Sequence, residues 1–322
     1  MSDSLAGSAG GLNAGSAAHS RWQQIPPNLR GALLVTIAAI GFTLVWTLAK
    51  MLAERGMHPY QISLCRAVFS LIVLAPFVVR GGTRAFQTRH PWLHFTRALA
   101  GAVAMLFGFY ALVRLPLAEV TALGFTTPLF TVLFAALVLR ETVGWRRWAA
   151  VGAGFAGMLI IVQPGAAAFS SDALFAIGSA MLIAFAITLV KRFPASESQT
   201  ILLLYVLVAS ILVCLLPALA VWRDPTPLEW AMLAGIGIMG LGAHALFISG
   251  FRTGESSFVA PFDYSKLLFA GVIGFFAFGE LPGLHTLAGA LVLIGSTVYI
   301  AQREARLARA GRKAKRTPPP EG

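Results

Sequence analysis

Residues 114–144 read RLPLAEVTALGFTTPLFTVLFAALVLRETVG, and residues 253–283 read TGESSFVAPFDYSKLLFAGVIGFFAFGELPG. The second stretch repeats the layout of the first at a constant offset, the one that separates Glu141 from Glu280. Each contains an apolar run that closes on one of these two glutamates, and a glycine follows three positions later, at Gly144 or Gly283. The recurrence predicts two copies of one structural unit within the chain.

The composition predicts that both copies lie in a membrane. Of the 322 residues, 57% are apolar and only 12% are charged, whereas soluble domains carry about 25% charged residues. The formal net charge of +12 does not indicate nucleic-acid binding, because the cations lie between long apolar runs and are not concentrated on one exposed face. The chain is therefore predicted to be an integral membrane protein that is surrounded by the lipid bilayer.

Apolar segments of helix-spanning length follow one another from Leu29 onward. A helix needs about 20 residues to cross the bilayer, and the breaks between segments fall at charged residues or at proline and glycine. The predicted fold class is all-α, with ten transmembrane helices. The predicted spans are residues 31–53, 59–79, 93–113, 117–139, 146–163, 173–190, 200–221, 228–250, 257–279 and 285–302.

The ten spans divide into two repeats of five, residues 30–164 and residues 172–302. Because five is odd, the second repeat enters the membrane from the opposite side, so the two form an inverted pair of the kind found in many secondary transporters. Residues 1–29 are predicted to be a disordered cytoplasmic tail, since they lack the basic and apolar regions of a signal peptide. Residues 303–322 are predicted to be a basic cytoplasmic tail.

The cations predict the orientation. If the N-terminus is cytoplasmic, 18 Lys and Arg residues fall on the cytoplasmic side and four on the outer side. Cytoplasmic segments carry the excess of positive charge, so both termini are predicted to be cytoplasmic. The three remaining cations, Arg66, Arg97 and Lys266, lie within predicted spans.

The residues around the repeat resemble a known family. The pattern Phe109-Tyr110-Ala111-Leu112, Pro116-Leu117-Ala118, Pro128 and Glu141, with Phe278-Gly279-Glu280 in the second half, is similar to that of EamA-type carriers of the drug/metabolite transporter superfamily. The resemblance covers nearly all of residues 30–302. It implies two five-helix repeats and the transport of small metabolites across a bacterial inner membrane.

The resemblance also bears on individual residues. Arg66, Arg97 and Tyr264 look similar to positions in carriers of S-adenosylmethionine, amino acids and related metabolites. The second repeat departs from the pattern because Leu267 stands where the first repeat has Pro128. Spans 4 and 9 are therefore expected to bend differently.

Ionisable residues inside a span normally face a cavity or a partner. Asp263 and Lys266 are three residues apart on one face of span 9, where they could line a central cavity or neutralise each other as an ion pair. Arg66 could bind a substrate carboxylate or phosphate, or pair with Glu119. Arg97 could serve as a gate or extend to the inner interface.

Further candidates lie at the ends and in the middle of the spans. Glu141 and Glu280 could be mirror-related gates, or could form local ion pairs and turns. His244 could titrate near neutral pH, although a hydrogen-bonded interior histidine is the plainer alternative. Aromatic rings that could stack on a substrate, or simply pack, are Trp46, Phe107, Tyr110, Phe125, Phe262 and Tyr264.

The predicted function is a secondary carrier of a small polar or zwitterionic metabolite, such as an amino acid or S-adenosylmethionine. A carrier of a heteroaromatic vitamin such as riboflavin, and a metabolite or drug exporter, are the alternatives. An integral membrane enzyme is less favoured, because the sequence contains no P-loop, H-E-x-x-H or G-x-S-x-G motif. No cofactor or metal is predicted, and Cys65 and Cys214 have no ligand spacing. The small residues Ala149, Ala153 and Gly157 could serve a homodimer or internal packing.

Overall fold

The computed structural model describes residues 25–81, 90–140, 142–164, 170–190, 199–254 and 256–316. All regular structure in these ranges is helical, as the sequence predicts. The helices are α1 (Pro27–Glu54), α2 (Pro59–Gly81), α3 (Pro91–Arg114), α4 (Leu117–Gly124), α5 (Thr127–Val138), α6 (Trp145–Val162), α7 (Ala173–Val190), α8 (Gln199–Ala220), α9 (Pro227–Thr253), α10 (Ser256–Asp263), α11 (Ser265–Phe278) and α12 (Leu284–Arg316).

Seven helical segments within these ranges are long and apolar enough to cross a membrane. Two of the seven, Leu117–Val138 and Pro261–Phe278, each include a break in the helix. Two shorter apolar helices, Ala173–Leu189 and Leu284–Ile300, accompany them. The chain is therefore a multi-pass membrane protein.

The helices begin where the sequence provides the right local chemistry. Proline occupies the first helical position of α1, α2, α3 and α9, where its fixed φ suits the helix and no amide donor is lost. In α9 the Thr226 side chain accepts from the Glu229 amide at 3.4 Å, and the Glu229 carboxylate accepts from the Thr226 amide at 2.8 Å. This reciprocal cap fixes the start of α9.

Each of the closest helix pairs joins the first half of the chain to the second: α1 with α9, α3 with α7, α2 with α8 and α6 with α12. Glycines allow two of these approaches. A Cβ at Gly31 would come within 2.8 Å of the Gly250 carbonyl, and a Cβ at Gly157 would come within 2.9 Å of the Gly289 carbonyl. The two halves therefore interleave into one bundle.

Three predicted segments differ from the structure. Spans 4 and 9 are each divided, into α4 and α5 and into α10 and α11. Helix α12 continues past residue 302 to Arg316, so part of the predicted tail is helical. Residues 1–24, Glu141 and residues 317–322 lie outside the described residues, and the predictions that rest on them stay predictions.

We name the two ends of the bundle after the orientation that the cations predict. The outer end is the one at which α1 ends at Glu54 and α2 begins at Pro59, and the inner end is the one at which α1 begins at Pro27. The turn between α3 and α4 lies at the outer end. Arg140, which follows α5, lies at the inner end.

Candidate functional site

The two helix breaks occur at matching positions of the repeat. Helix α4 ends at Gly124 and α10 ends at Asp263, and these two residues correspond under the offset that relates the two halves. Each break is closed by a short turn, in which the Phe125 amide donates to the Ala122 carbonyl at 3.0 Å and the Tyr264 amide donates to the Pro261 carbonyl at 3.2 Å. The prolines near the two breaks lie on opposite sides: Pro128 follows the first break and Pro261 precedes the second.

The two breaks face each other in the interior. The rings of Phe125 and Tyr264 lie edge to face, with centroids 5.0 Å apart. The Tyr264 hydroxyl donates to the Thr297 hydroxyl at 2.5 Å, which ties the second break to α12. Phe125 is only 7% exposed. The structure thus brings together two of the predicted site residues, one from each repeat.

An ion pair marks the second break. The Lys266 ammonium lies 2.5 Å from the Asp263 carboxylate, across the turn between α10 and α11. Both side chains keep accessible surface, 23% for Lys266 and 21% for Asp263. The pairing that the three-residue spacing permits is therefore present, and the pair still has open space around it. The matching positions of the first repeat, Gly124 and Thr127, carry no charge.

Aromatic rings surround the lysine of this pair. The Lys266 ammonium lies 5.0 Å from the centroid of Phe42 and 5.3 Å from that of Phe247, so the cation faces two rings. His244 contacts Phe42 edge to face at 5.0 Å. These contacts join α1, α9 and α11 into one wall. Sequence reasoning missed Phe42 and Phe247, because nothing distinguishes them among 23 phenylalanines.

Arg66 reaches the same region from α2. It is close enough to interact electrostatically with His244 on α9 and with Cys214 on α8. Its Nε has no hydrogen-bond partner among the described residues. The pairing with Glu119 considered from the sequence is not present, since Glu119 interacts with His285 instead. An arginine with unused donors, near an accessible histidine and an ion pair, is suited to binding an anionic group.

Two predicted site residues lie elsewhere. One Nη of Arg97 donates to the Leu202 carbonyl at 3.1 Å and ties α3 to α8. Tyr110 belongs to an aromatic group at the outer end, where it stacks on Phe175 at 5.3 Å and lies beneath the Arg114 guanidinium at 4.4 Å. Neither residue contacts the Asp263–Lys266 pair.

The aromatic group at the outer end also contains His58, and its surroundings shift the pKa of the imidazole. His58 stacks on Tyr60 at 4.8 Å and contacts Tyr110 edge to face at 5.8 Å. Burial, followed by the positive charge of Arg114, lowers the pKa of His58 below its ordinary value. The imidazole is therefore neutral at pH 7, and the group presents rings rather than charge.

Glu280 and Lys50 close the outer end through three contacts. Glu280 forms an ion pair with Lys50, and its second oxygen accepts from the Leu117 amide at 2.8 Å. Lys50 also donates to the Leu115 carbonyl at 2.9 Å. Gly279, with a φ of +67°, ends α11 and turns the chain so that Glu280 points back into the bundle. We call this arrangement the outer seal.

The outer seal contains a residue that sequence reasoning placed differently. Lys50 is one of the four cations that the sequence places on the outer side, and in the structure it is only 6% exposed. A signal was available, because Lys50 lies inside the apolar run of α1, four residues before its end. A cation at that depth generally has a partner. Glu280 was predicted as a gate candidate, and the structure gives it two partners, Lys50 and Leu117, from the opposite half of the chain.

The inner end lacks the equivalent packing. At the outer end α4 packs against α11, and α12 also contacts α4. The repeat makes α5 and α10 the inner counterparts of α11 and α4, yet these two helices do not pack against each other comparably within the described residues. Within the described residues, the α4–α11 contact of the outer end therefore has no equally packed counterpart at the inner end. Within the described residues no group of three or more potential metal ligands is present.

Comparisons with known proteins agree with the duplicated layout. The sequence profile of the EamA-like transporter family matches residues 29–163 and again residues 171–302. A protein of known crystal structure aligns with a TM-score of 0.55 and 20% identity, over 84% of this chain and 98% of that chain. That likeness concerns the fold alone.

Two curated relatives are named as carriers. The S-adenosylmethionine uptake transporter of Rickettsia prowazekii is 30% identical over 257 residues, which is 80% of this chain and 87% of that protein. The riboflavin transporter of Vibrio cholerae is 29% identical over 285 residues, which is 87% of this chain and 96% of that protein. Both matches span most of the helical bundle.

Proposed function

The chain belongs to the EamA-like transporter family, and we propose that it carries a small zwitterion of the amino-acid or S-adenosylmethionine class across the bacterial inner membrane. The observation that carries this proposal is the meeting of Arg66, His244 and the Asp263–Lys266 pair beside aromatic rings. Charges of both signs in one interior region suit a substrate that carries both signs itself.

The charged side chains provide separate positions for the anionic and the cationic group of the substrate. Arg66 has donors to spare and suits the substrate carboxylate. Asp263 suits the cationic group, since a substrate cation can take the place of the Lys266 ammonium beside the carboxylate. Phe42 and Phe247 lie next to that position and favour a cation or a flat ring. Tyr264 and Phe125 form the floor between the two helix breaks.

Transport proceeds by alternating access between two arrangements of an inverted repeat. We assign ten spans by counting α4 with α5 and α10 with α11 as one span each, which gives five spans per repeat and places both termini in the cytoplasm. We assign the arrangement described above, in which the outer end is the more closely packed, to the inward-open state. Its counterpart is reached when the outer seal opens and the inner halves close, and substrate binding shifts the populations of the two.

Riboflavin is the second candidate substrate. The Vibrio cholerae relative favours it, because the match to that protein covers 96% of its length. The aromatic wall of Phe42 and Phe247 could also stack on a heteroaromatic ring. The two candidates differ in charge: riboflavin has no ammonium group for Asp263 to bind, whereas a zwitterion has one.

The test is uptake of radiolabelled S-adenosylmethionine and riboflavin by proteoliposomes that contain the purified full chain. The proposal expects saturable uptake of S-adenosylmethionine that falls at least about tenfold in Arg66→Gln and in Asp263→Asn, the factor that 1.4 kcal/mol of lost binding produces. Matched controls are Arg55→Gln and Asp224→Asn, which change the same residue types at the outer end.

The outcomes separate the candidates. Uptake of riboflavin alone, with Asp263→Asn as active as Asp224→Asn, overturns the zwitterion and supports the vitamin. Binding is checked independently by thermal stabilisation of the purified protein, since a true ligand raises the melting temperature according to its concentration relative to Kd. If neither ligand binds or crosses the membrane, the same assays are run with radiolabelled amino acids, and failure of these as well overturns both substrate assignments.

A further inference from the structure

The helix pair α6 and α12 is closely packed near one end and borders a groove toward the other. Near the outer end, Gly157 and Gly289 let the two backbones touch. Toward the inner end the pair borders a groove of about 290 Å³. We call it the α6/α12 groove, and its lining residues are Trp145, Arg146, Ala149, Ala150, Ala153, Val292, Ser296 and Tyr299.

The repeat shows why the two ends differ. Under the offset that relates Glu141 to Glu280, Gly157 corresponds to Ser296 and Gly289 corresponds to Ala150. The outer contact between two glycines is therefore matched at the inner end by a serine and an alanine, and both line the groove. Side chains at these positions hold the backbones apart where glycines would let them meet.

The walls of the groove are apolar and face outward. Trp145 is 74% exposed and Tyr299 is 46% exposed, and such rings are typical of the level at which lipid headgroups meet the hydrocarbon. Ala149 and Ala153 form a shallow floor between them and are also exposed. An extended hydrocarbon chain fits these walls, and a polar metabolite does not.

The inner rim of the groove is positively charged. Residues 140–147 contain three arginines and one glutamate, a formal net charge of +2. The Arg146 guanidinium lies over the Trp145 ring, 5.4 Å from its centroid, at the mouth of the groove. Helix α12 continues past Tyr299 to Arg316, and the sequence of residues 303–316 contains seven cations and one glutamate. The rim therefore attracts an anionic group.

We propose that the α6/α12 groove is a binding site for one anionic phospholipid, with an acyl chain between Trp145 and Tyr299 and the phosphate at Arg146. Basic pockets between membrane helices are known to bind anionic headgroups. A second copy of this chain would bring another basic rim against the first, and like charges across an interface oppose association. The site is separate from the charged interior region and does not depend on the substrate.

The experiment is native mass spectrometry of the purified full chain after equilibration with phosphatidylglycerol or with phosphatidylcholine of the same acyl chains. We expect one phosphatidylglycerol to be retained, and retention to fall at least about fivefold in Arg146→Gln, consistent with about 1 kcal/mol per basic residue at a membrane surface. Arg252→Gln removes an exposed arginine from the last turn of α9 and is the matched control.

A second variant tests the groove itself. Ala153→Leu fills the floor and is expected to abolish retention, whereas Gly152→Leu adds the same side chain on α6 where nothing lies within 4 Å, and is expected to bind as the parent does. If Ala153→Leu fails to fold, Ala149→Leu takes its place. Equal retention of the two lipids, retention by the filled variant, or a dimer that disappears in Ala153→Leu overturns the proposal.

Discussion

The outer and inner ends of this bundle are built from matching positions of one repeat, but they are packed differently. At the outer end α4 packs against α11, Gly157 meets Gly289, and Glu280 holds Lys50. At the inner end α5 and α10 are not packed comparably within the described residues, and α6 and α12 enclose a groove. The difference indicates that the two repeats, although similar in sequence, pack their corresponding helices in two different arrangements.

The helix breaks differ in chemistry instead of geometry. Both occur at the same position of the repeat, but the second carries Asp263 and Lys266 where the first carries Gly124 and Thr127. The backbone of the site is therefore symmetric, and its charge is not. Under the proposed function, such a site would be reached from either end and would bind its substrate in one orientation.

The largest expected effect is on the outer seal. Glu280→Gln removes the charge that neutralises Lys50, and loss of one partner from a buried pair typically costs about 3–5 kcal/mol of unfolding free energy. The control is Glu54→Gln, an exposed acid at the same end of the bundle. Thermal unfolding in detergent measures both variants. Equal melting temperatures for the two would show that the seal contributes nothing to stability.

The tight glycine contact predicts the next largest effect. A Cβ at residue 157 would approach the Gly289 carbonyl at 2.9 Å and the Leu293 amide at 3.1 Å, so Gly157→Ala is expected to lose about 1–3 kcal/mol of unfolding free energy. Gly152→Ala, five residues earlier in α6 with open space around it, is expected to be neutral or stabilising. A melting temperature for Gly157→Ala at or above that of Gly152→Ala would contradict the packing.

The carboxylate at the second break leads to a prediction about the coupling of substrate uptake to protons. If Asp263 carries a proton, Asp263→Asn abolishes the pH dependence of uptake in vesicles, while substrate exchange continues at saturating concentrations, at which the weaker binding proposed above no longer limits the rate. Asp224→Asn is the control. The measurement compares uptake under an imposed pH gradient with counterflow at equal pH. Unchanged pH dependence in Asp263→Asn excludes this residue as the proton carrier.

The smallest expected effect concerns His58 at the outer end. Because its pKa is lowered in the folded protein, the unfolded chain binds more protons just below the ordinary pKa of histidine, about 6.5. The free energy of unfolding is therefore expected to fall as the pH drops through that range, and to be unaffected by His58 above it. Melting temperatures of the parent and of His58→Gln between pH 7.5 and 5 measure this. A parallel pH dependence in both proteins would contradict the assignment.

Much of the fold follows from patterns within single segments. Apolar length and the turn residues identify the helices, and the constant offset between the two halves identifies the duplication before any contact is known. The breaks after Gly124 and Asp263 were not predicted, because a helix break requires only two or three residues. The difference between Pro128 and Leu267 led instead to the expectation that spans 4 and 9 bend differently. Tertiary contact between Phe125 and Tyr264 accompanies both breaks.

The site was harder to predict than the fold, because it depends on contacts between distant segments. Asp263 and Lys266 could be paired from their spacing, since both lie on one element. Lys50 and Glu280 are 230 residues apart, and no local pattern connects them. Tyr110 and Arg97 show the opposite error. Their residue types and their depths in the spans suited a substrate site, but the structure packs them away from the Asp263–Lys266 pair.

The outer seal also determines which positions tolerate substitution. Only Lys50 and Glu280 contribute side chains to it, whereas Leu115 and Leu117 take part through a carbonyl and an amide that every residue except proline provides. The turn between α3 and α4 can therefore change its side chains without loss of these bonds, and a proline at position 117 is the one exchange that removes a donor. For the bonds of the outer seal, sensitivity to side-chain exchange is therefore concentrated on Lys50 and Glu280, one from each half of the chain.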